Sequence, residues 1–161
     1  MFLKSETFIN SMNNFLSSEI DFDVLLLAGN NMGPYTKIHD FCVKIKKCQT
    51  TTAYLVKKHY YDTLIKNVED GIKLLALNLT SLNDYAIDQY WNRLQLQDNW
   101  CLLTPLTITQ RPSYSDIERR ITNYNRVMLD LDKTALRHVG IIKERPQLTT
   151  TMKDVIQNKN V

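Results

Sequence analysis

The sequence predicts an α/β domain, in which helices cover a layer of strands. Three observations support this class: an unbroken apolar run at residues 22–29, a regular helical pattern at residues 61–75, and alternating strand-like and helix-like segments around them. The 161 residues are enough for one domain with a real core. We therefore expect a single domain over residues 1–142 and a polar, flexible tail over residues 143–161.

The first predicted elements are a helix at residues 5–18 and a strand that follows it. The apolar face of the helix consists of Phe8, Ile9, Met12, Phe15 and Leu16. The run at residues 22–29 is apolar on both faces, which is typical of a central strand with neighbours on each side. Residues 41–47 and 51–56 supply two further strands, and residues 30–34 form a loop.

The most regular helical pattern comes next. Its apolar positions are Tyr61, Leu64, Ile65, Val68, Ile72 and Leu75. Gly71 costs up to ~1 kcal/mol relative to Ala inside a helix, which makes it the candidate break point. A second helix is predicted at residues 84–96 and a short strand at residues 100–105. Ser115 and Glu118 fit a capping box, which predicts a further helix that reaches Leu131.

Composition excludes several classes of protein. The 20 basic and 17 acidic residues leave a net charge of +3, which is too small and too dispersed to predict nucleic-acid binding. The sequence contains no run of ~18 apolar residues, so no membrane span is predicted. The residues after Met1 lack the apolar core of a secretory signal. Three cysteines without CxxC spacing indicate reduced thiols in an intracellular setting.

Carboxylates are the candidate catalytic groups. Residues 21–23 and 130–132 both match DxD, a pattern that holds a metal and a sugar diphosphate in many glycosyltransferases, but we interpret both pairs as solvated ends of elements. Asp88 falls in the first turn of the predicted helix at residues 84–96, where the helix dipole stabilises a carboxylate. It could accept a proton from a hydroxyl group or coordinate a metal. From the residues alone, a plain charge at a helix N-terminus is the favoured interpretation.

The predicted sheet lacks a strand that we would expect to precede residues 22–29. The apolar strand at residues 22–29 lies near the start of the chain, whereas a doubly wound sheet begins with a βαβ unit of roughly 30 residues. We therefore expect this chain to be the second half of a domain.

Four segments together resemble the C-terminal half of family 25 glycosyltransferases, which include lipooligosaccharide and collagen galactosyltransferases. DFDVLLLAG at residues 21–29 resembles the family's DWD strand, and TTAYLV at residues 51–56, with a helix containing Lys73-Leu74-Leu75, resembles its AYxVS…KLL segment. Tyr85-Ala86-Ile87-Asp88 stands in the place of the PxD site, and Gln110 with SDI at residues 115–117 resembles the late Q…SDI signature. The likeness covers residues 5–120. The Asn-rich and Lys-rich composition resembles members encoded by giant DNA viruses.

The resemblance implies the C-terminal part of a nucleotide-sugar-binding, GT-A-like Rossmann-type sheet, with the N-terminal donor-binding half absent. It implies transfer of a hexosyl group from a nucleotide-sugar to a hydroxyl of a glycan or protein acceptor, with Asp88 as the catalytic residue. Substrate contacts are assigned to Tyr54, Tyr85, Trp91, Gln110, Ser115 and Asp116.

The resemblance also implies a divalent metal, Mn²⁺ or Mg²⁺, although Asp88 is the one metal ligand that this sequence offers. A separate N-terminal half or a homo-oligomer would complete the site, in the cytoplasm of the cell or of an infected host. The alternative is a non-catalytic binding or interaction module that keeps the fold.

Overall fold

The apolar run predicted as a central strand forms an interior strand of the sheet, with a neighbour on each side. A computed structural model describes residues 4–116 and 118–133. Its helices are α1 (Ser5–Leu16), α2 (Tyr61–Leu77), α3 (Leu82–Tyr85), α4 (Ile87–Tyr90), α5 (Asn92–Gln97) and α6 (Asn125–Met128). Its strands are β1 (Val24–Asn31), β2 (Tyr35–His39), β3 (Cys42–Ile45), β4 (Cys48–Val56), β5 (Trp100–Leu103), β6 (Ser113–Ser115) and β7 (Arg120–Thr122).

Five of these strands form one mixed sheet in the order β2-β3-β5-β1-β4. The β1–β5 pair is parallel, and the pairs β1–β4, β2–β3 and β3–β5 are antiparallel. Strands β6 and β7 form a separate hairpin. The predicted α/β class is confirmed, since helices and a mixed sheet share one core. The described strands do not show the mostly parallel order of a doubly wound sheet.

Helices cover the two faces of the sheet because β1 is apolar on both sides. Leu25 and Leu26 point to opposite faces, and both are fully buried. On one face Leu25 belongs to a cluster with Phe15 of α1. On the other, Leu26 belongs to a cluster with Trp91 and Trp100, whose ring centroids are 5.2 Å apart. This second cluster fixes the segment that carries Asp88.

The predicted helix from Ser115 to Leu131 is wrong: the described residues there form the β6–β7 hairpin and then α6. The capping hydrogen bond itself exists, because Glu118 N donates to Ser115 Oγ at 3.2 Å. Here that bond spans the hairpin turn, and a Ser hydroxyl can close such a turn as readily as it caps a helix. Ile121 of β7 is 78% exposed.

Three other elements differ from their predictions. The helix at residues 84–96 is divided among α3, α4 and α5, and extended backbone at Ala86 (φ −56°, ψ 148°) separates the first two. Gly71 does not break α2. It lets α2 approach α3 and α4, because a Cβ there would lie 3.1 Å from Tyr90 Cδ1 and 3.3 Å from Tyr85 O. Strand β2 was missed, since its exposed residues carry no apolar signal.

Helices α1 and α2 leave part of their apolar faces in solvent. The predicted inward residues that are exposed are Ile9, Leu16, Tyr61, Ile65 and Ile72, at 51–62%. No helix within the described ranges is long and apolar enough to cross a bilayer. The predicted tail at residues 143–161 lies outside the described residues, so its prediction stands untested.

All three cysteines are free and buried in the core. Burial raises the pKa of Cys48 and of Cys101 to about 12, and it also raises the pKa of Cys42. A thiol in the unfolded chain loses its proton near pH 8.5. These thiols therefore contribute stability that is fully present below about pH 8.5 and is lost as the pH rises toward the folded pKa.

We expect the free energy of unfolding to fall by about 4 kcal/mol between pH 8 and pH 10, about 2 kcal/mol for each of Cys48 and Cys101. Denaturant titrations at the two pH values measure this change. Burial lowers the pKa of Lys133, which gives an opposing slope, so the Cys101→Ala variant is the control. About half of the fall should disappear in this variant. An unchanged slope would show that Cys101 does not titrate on unfolding.

Candidate functional site

The candidate site is built on an irregular start of β4. Thr50 has φ = 75°, a left-handed conformation that a β-branched residue rarely adopts and that costs on the order of 1–3 kcal/mol. The register between β1 and β4 also shifts here, between the pairs Ala28–Ala53 and Asn30–Gln49. Such strain persists where surrounding contacts hold it, and it is concentrated at functional sites.

The contact that holds Thr50 comes from Asp88. Thr50 N donates to Asp88 Oδ2 at 3.0 Å. Asp88 is half-buried in the first turn of α4, as predicted, although this short helix begins at Ile87 and not at the predicted residue 84. Among the described residues, Asp88 Oδ1 accepts no hydrogen bond. One carboxylate oxygen therefore orders β4 while the other stays available to a ligand.

Amide side chains surround this carboxylate. Gln49 Nε2 donates to Gln89 Oε1 at 2.8 Å, so the residues next to Thr50 and Asp88 join the same two elements a second time. We call Gln49, Thr50, Asp88 and Gln89 the Asp88 cluster. It is uncharged apart from the carboxylate.

Two oxygens beside the cluster are buried without a partner among the described residues. They are Thr50 Oγ1 and Oδ1 of Asn30, which pairs with Gln49 in the β1–β4 ladder. A buried polar atom without a hydrogen bond costs about 1–3 kcal/mol. Both oxygens are covered by protein atoms, so their cost belongs to the irregular start of β4. The cluster lies at the carboxyl end of β1, the end of a parallel pair at which open α/β sheets bind ligands.

Strand β4 is the common partner of three residues that the sequence singled out. Asp88 binds Thr50, and Gln110 Nε2 donates to Thr52 Oγ1 at 3.0 Å, two residues further along β4. Trp91 Nε1 donates to Cys48 O at 2.9 Å at the start of the strand. The structure thus brings Asp88, Gln110 and Trp91 to the five residues of β4 from Cys48 to Thr52.

The aromatic candidates occupy different environments. Trp91 is 1% exposed, so protein atoms cover its ring and it orders the core in this structure. Tyr54 is half-buried and meets Trp91 edge-on at 5.7 Å. Tyr85 is half-buried against Tyr90, with 5.9 Å between ring centroids. Substrate contacts by these rings remain predictions, and such a contact is open to Tyr54 and Tyr85 without rearrangement of the core.

The last two candidates, Ser115 and Asp116, lie in the β6–β7 hairpin. The Ser115 hydroxyl accepts from Glu118 N within that hairpin, and Asp116 is exposed. No described contact brings either residue to Asp88. Their substrate role remains a prediction.

Both DxD matches have structural roles. Asp23 Oδ2 accepts from Asn99 N at 2.8 Å, and Asp23 Oδ1 lies 2.7 Å from His59 Nε2, at the entrance of β1 and opposite to the Asp88 end. Asp130 Oδ1 accepts from Lys133 N at 2.9 Å, and Asp132 accepts from Tyr35 OH. The interpretation of these pairs as ends of elements agrees with the contacts, although residues 130–132 follow α6 and are not helical.

The described residues do not by themselves form a metal site. Within the described ranges, no three His, Cys, Asp or Glu side chains lie close enough together to hold an ion. The Asp88 cluster offers one carboxylate and neutral amide oxygens, whereas hard divalent cations are held by several oxygens that usually include more than one carboxylate or phosphate. The residues of the Asp88 cluster alone therefore do not fit a divalent cation.

Sequence reasoning missed Gln49, Thr50 and Gln89. No motif marks the two glutamines, because an amide pair between a strand and a helix leaves no local pattern. The left-handed conformation of Thr50 was also invisible, since such positions are predicted from Gly or Asn. A signal did exist in the uncharged Thr50-Thr51-Thr52 run, which gives an edge strand three side chains that can hydrogen-bond.

The fold and the cluster define an α/β protein with a half-buried carboxylate at the carboxyl end of its central strand. Comparisons of the chain with protein-family models, with curated proteins and with solved structures find no match. Its relation to family 25 glycosyltransferases is therefore a proposal.

Proposed function

We propose that this chain is a glycosyltransferase-like protein of the family 25 type, and that the Asp88 cluster is its acceptor site. The main supporting observation is that the two carboxylate oxygens of Asp88 differ. Oδ2 accepts from Thr50 N, and Oδ1 has no hydrogen-bond partner among the described residues. The carboxylate is half-buried, and a hydrogen bond to it is stronger there than in water. A sugar hydroxyl is the donor that fits such an acceptor.

The proposed reaction is transfer of a hexosyl group from a nucleotide-sugar to that hydroxyl. Asp88 Oδ1 takes the hydroxyl proton as the acceptor oxygen attacks C1 of the donor sugar. The C1–O bond to the diphosphate breaks, and its electron pair leaves with the nucleoside diphosphate. Gln49, Gln89 and Gln110 would orient the acceptor through hydrogen bonds to its other hydroxyls.

Groups outside the described residues must complete this site. Among the described residues, the hydrogen bond to Asp88 comes from Thr50 N and none comes from a Lys or Arg that could stabilise the leaving diphosphate, a contribution that is usually large in such reactions. We propose that the donor-binding half of a GT-A-like sheet, with any Mn²⁺ or Mg²⁺ ion, comes from a separate segment. The free cysteines are consistent with a reducing, intracellular setting.

The second candidate is a non-catalytic module that binds glycans or proteins. The observation that favours it is again the Thr50–Asp88 bond, because a purely structural carboxylate would make the same contact. The two candidates differ in their response to a nucleotide-sugar.

Thermal melting of the full chain distinguishes them. If this chain binds the donor without a separate segment, one member of a panel of UDP-, GDP- and CMP-sugars at millimolar concentration, with Mn²⁺ or Mg²⁺, should raise Tm by about 3 °C at ten times its Kd. The metal alone and the free nucleotide are the controls. If no member shifts Tm, catalysis by this chain alone is refuted, and a shift with free monosaccharides only would favour the binding module.

A further inference from the structure

We propose that the outer edge of β4, with the apolar groove beside it, binds an extended segment of a different polypeptide as an added strand. The site lies next to the Asp88 cluster but uses none of its chemistry. Its occupant would carry alternating apolar side chains and one Lys or Arg.

Strand β4 is an edge strand, and side chains already bond the outward backbone groups of its first part. Cys48 N donates to Gln95 Oε1 at 2.7 Å, and Cys48 O accepts from Gln95 Nε2 and from Trp91 Nε1. Thr50 N donates to Asp88 Oδ2. Side chains of α4 and α5 therefore saturate the backbone of β4 from Cys48 to Thr50, where a partner strand could not pair.

The last part of β4 is open. Lys57 N donates to Asp23 O at 2.9 Å, and Leu55 lies opposite Leu25 of β1. Because backbone groups alternate in direction along an antiparallel pair, the N–H and C=O groups of Tyr54 and Val56 point away from β1. No described strand lies on that side. A short ladder can therefore form along Tyr54–Val56.

The strand also lacks the usual protection of an edge. Native edge strands carry charges, prolines or short lengths that prevent pairing. Strand β4 is nine residues long, and its sequence CQTTTAYLV contains no charge and no proline. At the opposite edge of the same sheet, β2 has five residues and carries Lys37, which is paired with Asp40. Of the two edges that the described strands give this sheet, the β4 edge is thus the one suited to accept a strand.

An apolar groove of 460 Å³ runs beside this open edge. Its walls come from β4, α2, α4 and Trp91, which directly follows α4. The lining residues are Tyr54, Tyr61, Leu64, Ile65, Val68, Glu69, Ile87 and Trp91. Ile65 is 55% exposed. In strand addition, main-chain hydrogen bonds provide affinity and a pocket for alternate side chains provides specificity, and both are present here.

Charge identifies the kind of occupant. Glu69 is the charged residue in the groove lining. Asp62 precedes it by seven residues, so both acids lie on the same side of α2. A different chain with a Lys or Arg opposite Glu69 gains an ion pair at the rim.

The test uses nine-residue synthetic peptides that alternate Val and Thr, with one Arg moved through successive positions, and fluorescence anisotropy with the full chain. We expect one register to bind best. N-methylation of its alternate amides on the pairing side should weaken binding at least about 10-fold, because it removes the ladder hydrogen bonds.

Three substitutions separate the elements of the site. Val56→Pro removes an outward N–H without touching the β1 ladder and should weaken binding about 10-fold. Ile65→Asp should do the same, whereas Ile72→Asp, on the same helix, 61% exposed and outside the groove lining, should leave binding unchanged. Glu69→Lys should lower affinity for the Arg peptide about 5-fold and raise it for the matching Glu peptide.

Melting curves of each variant establish that it is folded. The proposal is overturned if no register binds at millimolar peptide, or if N-methylated and unmodified peptides bind equally. It is also overturned in favour of a second copy if the chain sediments as a dimer that Val56→Pro dissociates.

Discussion

Asp88→Asn is expected to lower the rate of sugar transfer by about 100-fold or more, in any preparation in which the full chain is active. The amide cannot take a proton from the acceptor hydroxyl. Its oxygen can still accept from Thr50 N, so the start of β4 should keep its conformation. Release of nucleoside diphosphate from the nucleotide-sugar identified by melting measures the rate.

Asp84→Asn is the matched control. Asp84 is an exposed residue of α3, close in sequence to Asp88, and its carboxylate makes no described ion pair. It should leave the rate unchanged. Equal rates for the Asp88→Asn variant and the unmodified chain would remove Asp88 from the mechanism. Loss of both activity and stability in that variant would assign it the structural role alone.

Trp91→Ala is expected to destabilise the chain by about 3–5 kcal/mol, the range for deletion of a large buried aromatic side chain. The indole is 1% exposed, packs on Trp100 and Tyr54, and donates to Cys48 O. Its loss opens a cavity where α4 meets the sheet. Equilibrium unfolding in urea, followed by far-UV circular dichroism, gives the difference in free energy.

Two further variants serve as comparisons for the loss of stability in Trp91→Ala. Trp91→Phe keeps most of the ring volume, and Gln95 Nε2 still donates to Cys48 O, so about 1–2 kcal/mol should be lost. Tyr114→Ala removes an aromatic ring that is 61% exposed and should cost no more than about 0.5 kcal/mol. If Trp91→Ala costs as little as Tyr114→Ala, the indole does not anchor α4.

Elements with a strong apolar pattern were predictable from the sequence. Val24 to Leu27 are apolar at every position because β1 has a covered face on each side, and the class of fold follows from that run. The apolar pattern at residues 61–75 predicted that a helix is present and that it begins where α2 begins. Exposure of Ile65 and Ile72 was not predictable, because a helical pattern shows which residues share a face and not whether another element covers it.

Elements decided by tertiary contacts were not predictable. Ser115 and Glu118 form the predicted hydrogen bond, but that bond serves a hairpin turn and a helix cap alike. Gly71 looked like a break point, whereas the close approach of Tyr90 explains why a residue without a Cβ stands there. The role of Gly71 depends on neighbours that are distant in sequence, and the role of the Ser115–Glu118 bond depends on turn geometry. Local propensity determines neither of them.

The candidate site was predictable in one residue and not in its surroundings. A family resemblance singled out Asp88, and the structure gives it a half-buried position beside a strained strand. Its partner Thr50 lies 38 residues earlier, and Gln49, which bonds the neighbouring Gln89, precedes that residue by 40; neither belongs to a motif. Pairing of β1 with β4 brings them together, and local sequence does not specify that pairing.

The most direct test of the proposed acceptor site follows the Thr50 backbone amide by NMR in the ¹⁵N-labelled chain. Because Thr50 N donates to Asp88 Oδ2, its chemical shift reports on any ligand that binds the carboxylate. Titration with the nucleotide-sugar, and with a set of mono- and disaccharide acceptors, should shift this amide and the side-chain amides of Gln49 and Gln110 together. If a sugar that stabilises the chain leaves all three signals unmoved, sugars bind elsewhere and the Asp88 cluster is not the acceptor site.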